Sequence, residues 1–575
     1  MARKILIRIK RITSACFLVV TIFISVFYLQ VNAQSVETFI SPLHIPLELS
    51  ANFGEIRADH FHTGFDIRTN EKTGYKVYAS AEGYISRIKV AAGGYGKALY
   101  VTHPNGYMTV YAHLNGFVGE IASYVQKEQY SKQSFEVELY PPQNKFPVKQ
   151  NDLIAYSGNS GSSGGPHLHF EIRDASGETY PLNPGEFLKM TDTIAPRFSN
   201  LHLYSLDVGA DDKKKYAVRK NGAYYLTRPD SIITLSANTG IGVEAKDFMN
   251  SSGNDFGVYE FSLKIDDQLI YNIKFSRIDF SNGRYVNAFI DFGEKKRSGT
   301  VIQRLFRLPG DHNSIYHSLI NNGKLQFKDT AYHSVEVAAI DMYGNVSYLK
   351  FYLKQKKRLL HEPESERPHS LKYDQQNTFN NDSIQLSFPA NVFYEDLNFQ
   401  YDKESGFANS RYSALHHVHD RFTPVHSFYA IRLLPRYIPD SLRSKAVIVY
   451  EDGNGQRASK TTRWEGEWLT TRAREFGNFS VMVDTAPPKI VPSGMKQNKL
   501  LTGNSLRFSI TDNLSGIVSY KAYLNGNWLL MEYDPRDDQL SGFLPPDLPS
   551  GEHALLLIVT DDVKNTATYT FNFKK

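Results

Sequence analysis

Alternation between apolar and polar residues, interrupted by glycine turns, is the feature that most constrains the fold of this chain. The stretch KALYVTHPNGYMTVYAHL, residues 97–114, reads as two strands joined by a Pro-Asn-Gly turn. GYKVYASAEGYISRIKV before it and HLHFEIR after it alternate in the same way, and no long helical period interrupts them. We therefore predict that residues 34–190 form one compact antiparallel β domain.

An internal repeat organises the remainder of the 575 residues. DTIAPRF at Asp192 recurs as DTAPPKI at Asp484, and each copy ends in a strand, an Asp-x-x-x-Asn turn and a second alternating strand. The two turns run from Asp341 to Asn345 and from Asp561 to Asn565. Each copy resembles a β-sandwich of immunoglobulin type. We expect the turn aspartates to close their hairpins through backbone hydrogen bonds, with calcium binding as the less favoured alternative.

The predicted fold class is therefore all-β, with a compact antiparallel N-terminal domain followed by β-sandwich-like modules. The predicted boundaries are 191–356 for a β-sandwich, 357–483 for a β-rich module and 484–575 for an immunoglobulin-like sandwich. The middle module contains LHHVHD, with His416, His417 and His419. We interpret this stretch as a surface loop rather than as a second metal site.

The first 33 residues have the pattern of a secretory signal peptide, with a basic start, an apolar core and VNA before the expected cleavage point. An uncleaved membrane anchor is the alternative. Removal of this leader takes away five of the 65 Lys and Arg and leaves 60 against 60 Asp and Glu. No basic tract then suggests nucleic acid, and no cysteine remains. We expect an exported protein, in the periplasm, at the cell envelope or outside the cell, without a membrane span after cleavage.

Three short motifs in the N-terminal domain are rich in metal-binding side chains, namely HFHTGFD with His62 and Asp66, YAHL with His113, and HLH with His167 and His169. The two histidines of HLH face the same side of a strand. A catalytic zinc site needs three protein ligands and one water molecule. The pair in HFHTGFD and one histidine of HLH supply that number, which leaves two histidines to move protons and stabilise charge.

Together these motifs resemble the lysostaphin/LytM family of zinc peptidoglycan endopeptidases. The resemblance lies in FGEIRADHFHTGFDI at 53–67, GGYGKALYVTHPNGYMTVYAHL at 93–114 and AYSGNSGSSGGPHLHFEIR at 155–173, about a quarter of the chain. It implies zinc ligands at His62, Asp66 and His169 and catalytic histidines at His113 and His167. It also implies a peptidase fold for 34–190 and hydrolysis of peptide bonds in peptidoglycan stem or cross-link peptides.

Residues 118–150 depart from the family pattern, which has a short connection at this position. We predict a long insertion loop that lies beside the groove and gates or selects substrate. The predicted partners are peptidoglycan peptides, together with envelope proteins bound by the C-terminal modules. Two other functions remain open at this point, namely a non-catalytic wall-binding scaffold or hydrolase activator, and a zinc protease that acts on exported proteins.

Overall fold

The structure is a computed structural model and describes most of the chain after the leader. The described residues are 39–176, 180–206, 213–227, 232–235, 238–250, 252–355, 370–405 and 410–575. The predicted signal peptide lies outside these residues. None of the helices in the described part has the length and apolar character that crossing a bilayer requires.

The N-terminal domain is built on one nine-stranded sheet and one three-stranded sheet. Its elements are β1 (Leu49–Ala51), β2 (Phe65–Arg68), β3 (Lys76–Tyr78), β4 (Gly83–Val90), β5 (Lys97–Thr102), β6 (Tyr107–Ala112), β7 (Leu114–Phe117), α1 (Gly119–Lys132), β8 (Val137–Leu139), β9 (Pro147–Val148), β10 (Leu153–Ser157), β11 (His167–Asp174) and β12 (Pro181–Leu182). The large sheet has the order β1-β2-β11-β6-β5-β4-β8, with β12 on β11 and β9 on β4. The small sheet has the order β3-β10-β7.

The predicted hairpin at 97–114 is confirmed, since β5 and β6 pair antiparallel from Leu99 opposite Tyr111 to Thr102 opposite Met108. Strand β11 lies at the centre of the sheet between β2 and β6. Its even-numbered residues Leu168, Phe170 and Ile172 are buried in the hydrophobic core. Because strand residues alternate between faces, its odd-numbered residues share the opposite face.

The interpretation of residues 118–150 as a loop is wrong, because α1 occupies Gly119–Lys132. Only Ile121, Val125 and Gln129 of this helix are buried, at intervals of four residues. One of these three is polar, and most of the other positions hold polar or small residues, so the helical period is weak in the sequence. The exposed Tyr130 lies edge-on to Trp528 of the last module, with ring centroids 5.1 Å apart.

The module that follows has a single twelve-stranded sheet with the order β18-β17-β13-β14-β15-β24-β23-β19-β20-β22, together with β16 on β24 and β21 on β17. Its elements are β13 (Arg197–Ser205), β14 (Lys213–Asn221), β15 (Tyr224–Thr227), β16 (Ile233–Leu235), β17 (Thr239–Phe248), β18 (Asp255–Phe256), β19 (Glu260–Ile265), β20 (Gln268–Lys274), α2 (Val286–Phe289), α3 (Phe292–Ser298), β21 (Gln303–Arg304), β22 (Tyr316–Leu319), β23 (Tyr332–Ile340) and β24 (Val346–Gln355). Strand β14 pairs with β13 through its first half and with β15 through its second half, so it joins the two halves of the sheet.

The next module contains two five-stranded sheets and one pair of short strands. Its elements are β25 (Ser370–Leu371), β26 (Asn377–Asn380), β27 (Ile384–Phe388), β28 (Leu397–Asn398), β29 (Tyr401–Glu404), β30 (Leu415–Val418), β31 (Tyr429–Leu433), α4 (Asp440–Arg443), β32 (Ala446–Glu451), β33 (Arg457–Lys460), β34 (Arg463–Glu465), β35 (Trp468–Ala473) and β36 (Gly477–Val483). The interpretation of LHHVHD as a surface loop is wrong, because β30 carries most of it and His416 is fully buried against Tyr401.

The last module packs a four-stranded sheet on a five-stranded sheet around its own hydrophobic core. Its strands are β37 (Lys489–Pro492), β38 (Lys499–Leu500), β39 (Ser505–Thr511), β40 (Ile517–Leu524), β41 (Asn527–Trp528), β42 (Met531–Asp534), β43 (Gln539–Phe543), β44 (Glu552–Asp561) and β45 (Thr566–Lys574). The repeated hairpins are confirmed as β23–β24 and β44–β45. Asp341 Oδ1 accepts hydrogen bonds from the backbone N–H groups of Tyr343 and Asn345, each at 2.8 Å, as the turn prediction requires.

The N-terminal domain and the module after it share one hydrophobic core. Phe61 of the first packs on Phe275 and Phe289 of the second, with ring centroids 5.4 and 5.7 Å apart. Gly54 has φ +81°, and a Cβ there would lie 2.7 Å from the ring of Phe275. This close approach fixes one wall of the N-terminal domain against its neighbour.

Candidate metal centre

Three side chains from two of the predicted motifs converge beside the paired strands β2 and β11 of the large sheet. The distance from His62 Nε2 to Asp66 Oδ1 is 3.0 Å, from His169 Nδ1 to the same oxygen 2.8 Å, and between the two imidazole nitrogens 3.0 Å. All three residues are buried. We call His62, Asp66 and His169 the metal centre. Their individual roles as ligands remain a prediction from the resemblance.

Neighbouring groups determine which nitrogen of each imidazole faces the metal centre. His62 Nδ1 donates to the backbone oxygen of Asn52 at 2.7 Å, and His169 Nε2 donates to Glu171 Oε1 at 2.8 Å. In a neutral imidazole this uses the only N–H, so His62 Nε2 and His169 Nδ1 carry lone pairs. Two lone pairs and a carboxylate oxygen within about 3 Å of one another repel unless a proton or a metal ion lies between them. The donor set therefore fits a metal ion.

The electrostatics of the metal centre also favour a cation. Burial opposes charge on His169, yet its hydrogen bonds to Asp66 and Glu171 raise the pKa of His169 to about 9. Burial opposes ionisation of Asp66, but the surrounding histidines hold the pKa of this carboxyl well below its usual range. Asp66 Oδ2 also accepts a hydrogen bond from Arg57 at 2.8 Å. The pocket thus holds an ionised carboxylate and stabilises positive charge beside it.

The two predicted catalytic histidines lie next to the metal centre. The His113 and His167 rings are 4.9 Å apart, and His167 Nε2 lies 3.4 Å from Asp66 Oδ1. His113 Nδ1 donates to Ser160 O at 2.9 Å and His167 Nδ1 donates to Gly165 O at 2.8 Å. In the neutral imidazoles each Nε2 is therefore a proton acceptor. Burial, together with the neighbouring histidines, lowers the pKa of His113 to about 3.

Local backbone conformation explains how short motifs place these side chains. His113 follows β6 with φ +57°, a left-handed conformation that is uncommon outside glycine and turns its ring back over the sheet. Asp66 on β2 pairs directly with His169 on β11. Between His62 and Asp66, a Cβ at Gly64 would lie 2.4 Å from the backbone oxygen of Phe170. Only glycine allows the HFHTGFD segment to approach β11 this closely.

Sequence reasoning missed the residues that surround the metal centre. Glu171 is fully buried, accepts hydrogen bonds from Tyr95 and Thr63 at 2.5 and 2.7 Å, and pairs with Arg173 at 2.5 Å. The Tyr95 ring stacks on His169 with centroids 5.2 Å apart. The signal for Glu171 and Arg173 was present, because they continue the face of β11 that carries the histidines. Tyr95 lies in a glycine turn and has no such periodicity.

The metal centre opens into a cleft whose far wall comes from other modules. Ile278, Phe280 and Arg284 contribute from the second module, and Arg474 contributes from the third. His60 lines the cleft, whereas His103 is buried elsewhere against Glu82 O and Thr109. The structure describes all of residues 118–150, and none of them lines the cleft. The predicted position of this segment beside the groove is therefore wrong.

Contacts between modules hold this wall in place. Arg284 donates to Val425 O at 2.8 Å, which ties the second module to the third. Lys295 donates to the backbone oxygen of Arg57, close to Asp66. The last module reaches the other side of the cleft, where Arg536 donates to the backbone oxygen of Ser163. Contacts around the cleft therefore link the N-terminal domain to the second and last modules, and the second module to the third.

Comparison with known proteins agrees with this geometry. Residues 60–131 match Peptidase family M23, and residues 368–484 match the Zu5-like domain. The DD-carboxypeptidase/endopeptidase Mpg of Neisseria meningitidis is 35% identical over 123 residues, which cover 21% of this chain and 22% of that protein. An uncharacterized metalloprotease of Haemophilus influenzae is 31% identical over 140 residues, 24% of each chain. The chain thus spans less than a quarter of the length of these curated relatives.

Two solved structures are similar over the same region. The catalytic domain of the M23 protein EnpA from Enterococcus faecalis is 20% identical and covers 25% of this chain and 95% of its own, with a TM-score of 0.19. The catalytic domain of lysostaphin from Staphylococcus simulans is 23% identical and covers 24% of this chain and 91% of its own, with a TM-score of 0.18.

The fold and the donor set define the N-terminal domain as a metallopeptidase domain. It is a peptidase domain of family M23, the lysostaphin/LytM type, as its motifs predict. Zinc is the metal of this type, and two imidazoles with one carboxylate are ligands that zinc binds. The prediction of a zinc cofactor is therefore confirmed by the peptidase family and by the ligands present.

Proposed function

We propose that this protein is an exported zinc endopeptidase that hydrolyses peptide bonds in the stem or cross-link peptides of peptidoglycan. One observation carries the proposal. His62, Asp66 and His169 converge within 3.0 Å of one another, with His113 and His167 beside them, so the centre and both proton-transfer groups are complete. A scaffold that only binds wall peptides does not require metal ligands and proton-transfer histidines together.

Zinc bound at the metal centre supplies a Lewis acid that polarises a carbonyl group and lowers the pKa of a water molecule. The chain's own residues move the protons. His113 and His167 both line the cleft and each keeps an unprotonated Nε2, so either can take a proton from a water molecule that attacks the carbonyl carbon. The imidazolium formed is a hydrogen-bond donor, which stabilises negative oxygen and returns the proton to the departing amine as the C–N bond breaks.

The cleft wall gives the C-terminal modules a role in substrate positioning. Arg284 and Arg474 line the cleft together with Phe280, opposite the metal centre. Two guanidinium groups and an aromatic ring suit a peptide that carries a carboxylate. We propose that the modules form part of the substrate groove. The envelope protein partners predicted from the sequence would bind to the faces of these modules that lie away from the cleft.

A protease that acts on exported proteins uses the same chemistry and is the second candidate. The cationic wall favours the peptidoglycan assignment, because stem peptides carry free carboxylates along a short chain whereas an unfolded protein carries few per residue. Export itself rests on the predicted leader.

Release of soluble muropeptides from purified sacculi tests the substrate. Residues 34–575 are incubated with sacculi and, in parallel, with an unfolded protein substrate, and the products are identified by mass. The proposal expects muropeptides whose masses place the cut in a stem or cross-link peptide, and little cleavage of the protein. Cleavage of the protein substrate alone would support the protease assignment. Arg474→Ala should raise KM for muropeptides more than it lowers kcat, whereas Arg472→Ala, whose side chain is exposed, serves as the matched control.

A further inference from the structure

Three buried aspartates meet where the chain leaves the N-terminal domain. Asp192 lies in the connection, Asp247 at the end of β17 and Asp341 after β23. Each offers a carboxylate oxygen within 4.8 Å of the other two, and the residues are 7%, 6% and 1% exposed. We call Asp192, Asp247 and Asp341 the aspartate cluster. It belongs to neither the metal centre nor the cleft.

Two oxygens of the aspartate cluster are buried and have no hydrogen-bond partner among the described residues, Asp192 Oδ2 and Asp247 Oδ1. The other oxygens of Asp192 and Asp341 accept hydrogen bonds. Asp192 Oδ1 accepts from the backbone N–H of Asn250 at 2.9 Å, and Asp341 accepts from the turn it closes. Buried polar atoms in native proteins are rarely left unpaired. Hairpin closure therefore accounts for Asp341 but not for the unpaired oxygens of its two neighbours.

The charges of the cluster are also uncompensated. Within the part of the chain that the structure describes, no Lys, Arg or His forms an ion pair with any of the three carboxylates. Burial, with the neighbouring charges of Asp341 and Asp192, raises the pKa of Asp247 to about 8. A buried carboxyl without a cationic partner is normally neutral or coordinates a metal.

The last module repeats the arrangement. Asp484, Asp512 and Asp561 likewise offer oxygens within 4.8 Å of one another, and Asp512 Oδ1 is buried without a hydrogen-bond partner among the described residues. Asn565 bridges Asp561 Oδ2 and Asp484 O at 2.7 and 3.0 Å, as Asn345 bridges Asp341 Oδ2 and Asp192 O at 2.6 and 3.1 Å. Because both modules contain the same asparagine bridge, the arrangement of the aspartates is a repeated feature of the chain.

The donor chemistry selects the ion. Carboxylate oxygens without nitrogen or sulfur suit hard cations such as calcium and magnesium. Two oxygens bound to one ion cannot be farther apart than twice the metal–oxygen distance, which is about 4.6 to 5.2 Å for calcium and about 4.0 to 4.2 Å for magnesium. Oxygens that lie within 4.8 Å of one another are close enough to share one calcium ion.

We propose that the aspartate cluster binds a calcium ion that fixes the connection from the N-terminal domain against the second module. The ion would join Asp192 of the connection to two strands of the module. The contact beside it is tight, because a Cβ at Gly185 would lie 2.1 Å from the end of Met342, the neighbour of Asp341. The same module supplies Phe280 and Arg284 to the cleft, so the ion would stabilise the wall of the cleft without touching substrate.

Calcium binding by residues 34–575 tests the proposal. The protein is dialysed into calcium-free buffer with its zinc retained, and calcium is titrated by calorimetry while the melting temperature is followed. At about ten times its Kd, calcium should raise the melting temperature of the affected domain by roughly 3 to 6 °C. No heat of binding and no change in melting temperature at about 5 mM calcium, above the range of about 10⁻⁴ to 10⁻³ M for extracellular modules, would overturn the proposal.

Substitutions in the aspartate cluster test whether calcium binds there. Asp247→Asn keeps the shape of the side chain and removes the unpaired charge, so it should abolish one binding event and reduce the calcium-induced shift. Asp192→Asn is the second variant, used if the first does not fold. Asp267→Asn, on an exposed turn where φ is +64°, is the matched control and should bind calcium as the native chain does. Unchanged stoichiometry in both cluster variants would place the calcium elsewhere and overturn the assignment.

Discussion

The metal centre and the aspartate cluster are both groups of three buried ligand side chains, but their surroundings differ. In the metal centre each imidazole is oriented by an outer partner, Asn52 O for His62 and Glu171 for His169. One side of the metal centre opens into the cleft, which is also lined by His113 and His167. The aspartate cluster has only oxygens, lies within a domain junction and forms no ion pair with a histidine among the described residues.

This difference distinguishes a site suited to catalysis from a site suited to stabilising the fold. Catalytic zinc sites keep one coordination position open and hold their ligands through outer hydrogen bonds. A structural ion instead needs protein ligands at all its coordination positions and negative charge that balances its own. The same chain thus uses nitrogen ligands where a substrate must enter and oxygen ligands where two domains meet.

Removal of a metal-centre ligand should have the largest effect. His169→Ala loses one of the three ligands of the centre, so we expect bound zinc to be lost and hydrolysis to fall by at least about a thousand-fold. Zinc content by atomic spectroscopy and muropeptide release measure the two losses. His44→Ala, an exposed histidine far from the centre, is the control. Calcium binding should be unchanged in His169→Ala, and a joint loss of both ions would break the separation between the two sites.

Loss of a proton-transfer histidine should reduce turnover while zinc is retained. His167→Ala leaves the metal centre complete, and a general base typically contributes about 10² to 10⁴ in rate. We expect kcat to fall by that factor with zinc content unchanged. If His167→Ala lost its zinc as His169→Ala does, the assignment of His169 as ligand and His167 as base would be incorrect.

Charge removal should change stability in opposite directions at the two sites. Glu171→Gln leaves Arg173 buried without its charged partner, and breaking such a pair costs about 3 to 5 kcal/mol. Asp247→Asn in calcium-free buffer removes a carboxyl whose ionisation burial opposes, so the free energy of unfolding at pH 7 should rise by about 1 kcal/mol. Denaturant unfolding measures both values, and a loss of stability in calcium-free Asp247→Asn would argue against an uncompensated charge.

The smallest effect is expected in the last module. Asp512 is only partly buried, and its Oδ2 accepts from the backbone N–H groups of Leu514 and Gly516 at 3.0 and 2.8 Å. An asparagine oxygen can accept the same bonds, so Asp512→Asn should change stability by no more than about 0.5 kcal/mol without calcium. A change as large as that of Asp247→Asn would show that partial exposure does not relieve the charge.

Much of the metal centre could be predicted from the sequence because its geometry is local. Strand alternation places His167 and His169 on one face, and the hairpin at 97–114 brings His113 next to them. Glu171 could have been found by extending the same alternation by two residues. Helix α1 was missed because only three of its positions are buried.

Long-range contacts account for what the sequence could not predict. Arg474 reaches the cleft from more than 400 residues beyond His62, and no local pattern marks it. Asp247 joins Asp192 and Asp341 only through the pairing of β17 in the second module. The repeated turns pointed to Asp341 and Asp561, but the third acid of each cluster is visible only in the folded chain.

Zinc dependence of hydrolysis tests the central claim most directly. Residues 34–575 are stripped of metal, and muropeptide release from sacculi is measured as zinc is added back, alongside His169→Ala, with calcium held constant. The account predicts that activity is absent without zinc, returns in full at one zinc per chain, and does not return in His169→Ala at that ratio. Hydrolysis by the metal-free chain, or by His169→Ala at the native rate, would contradict it.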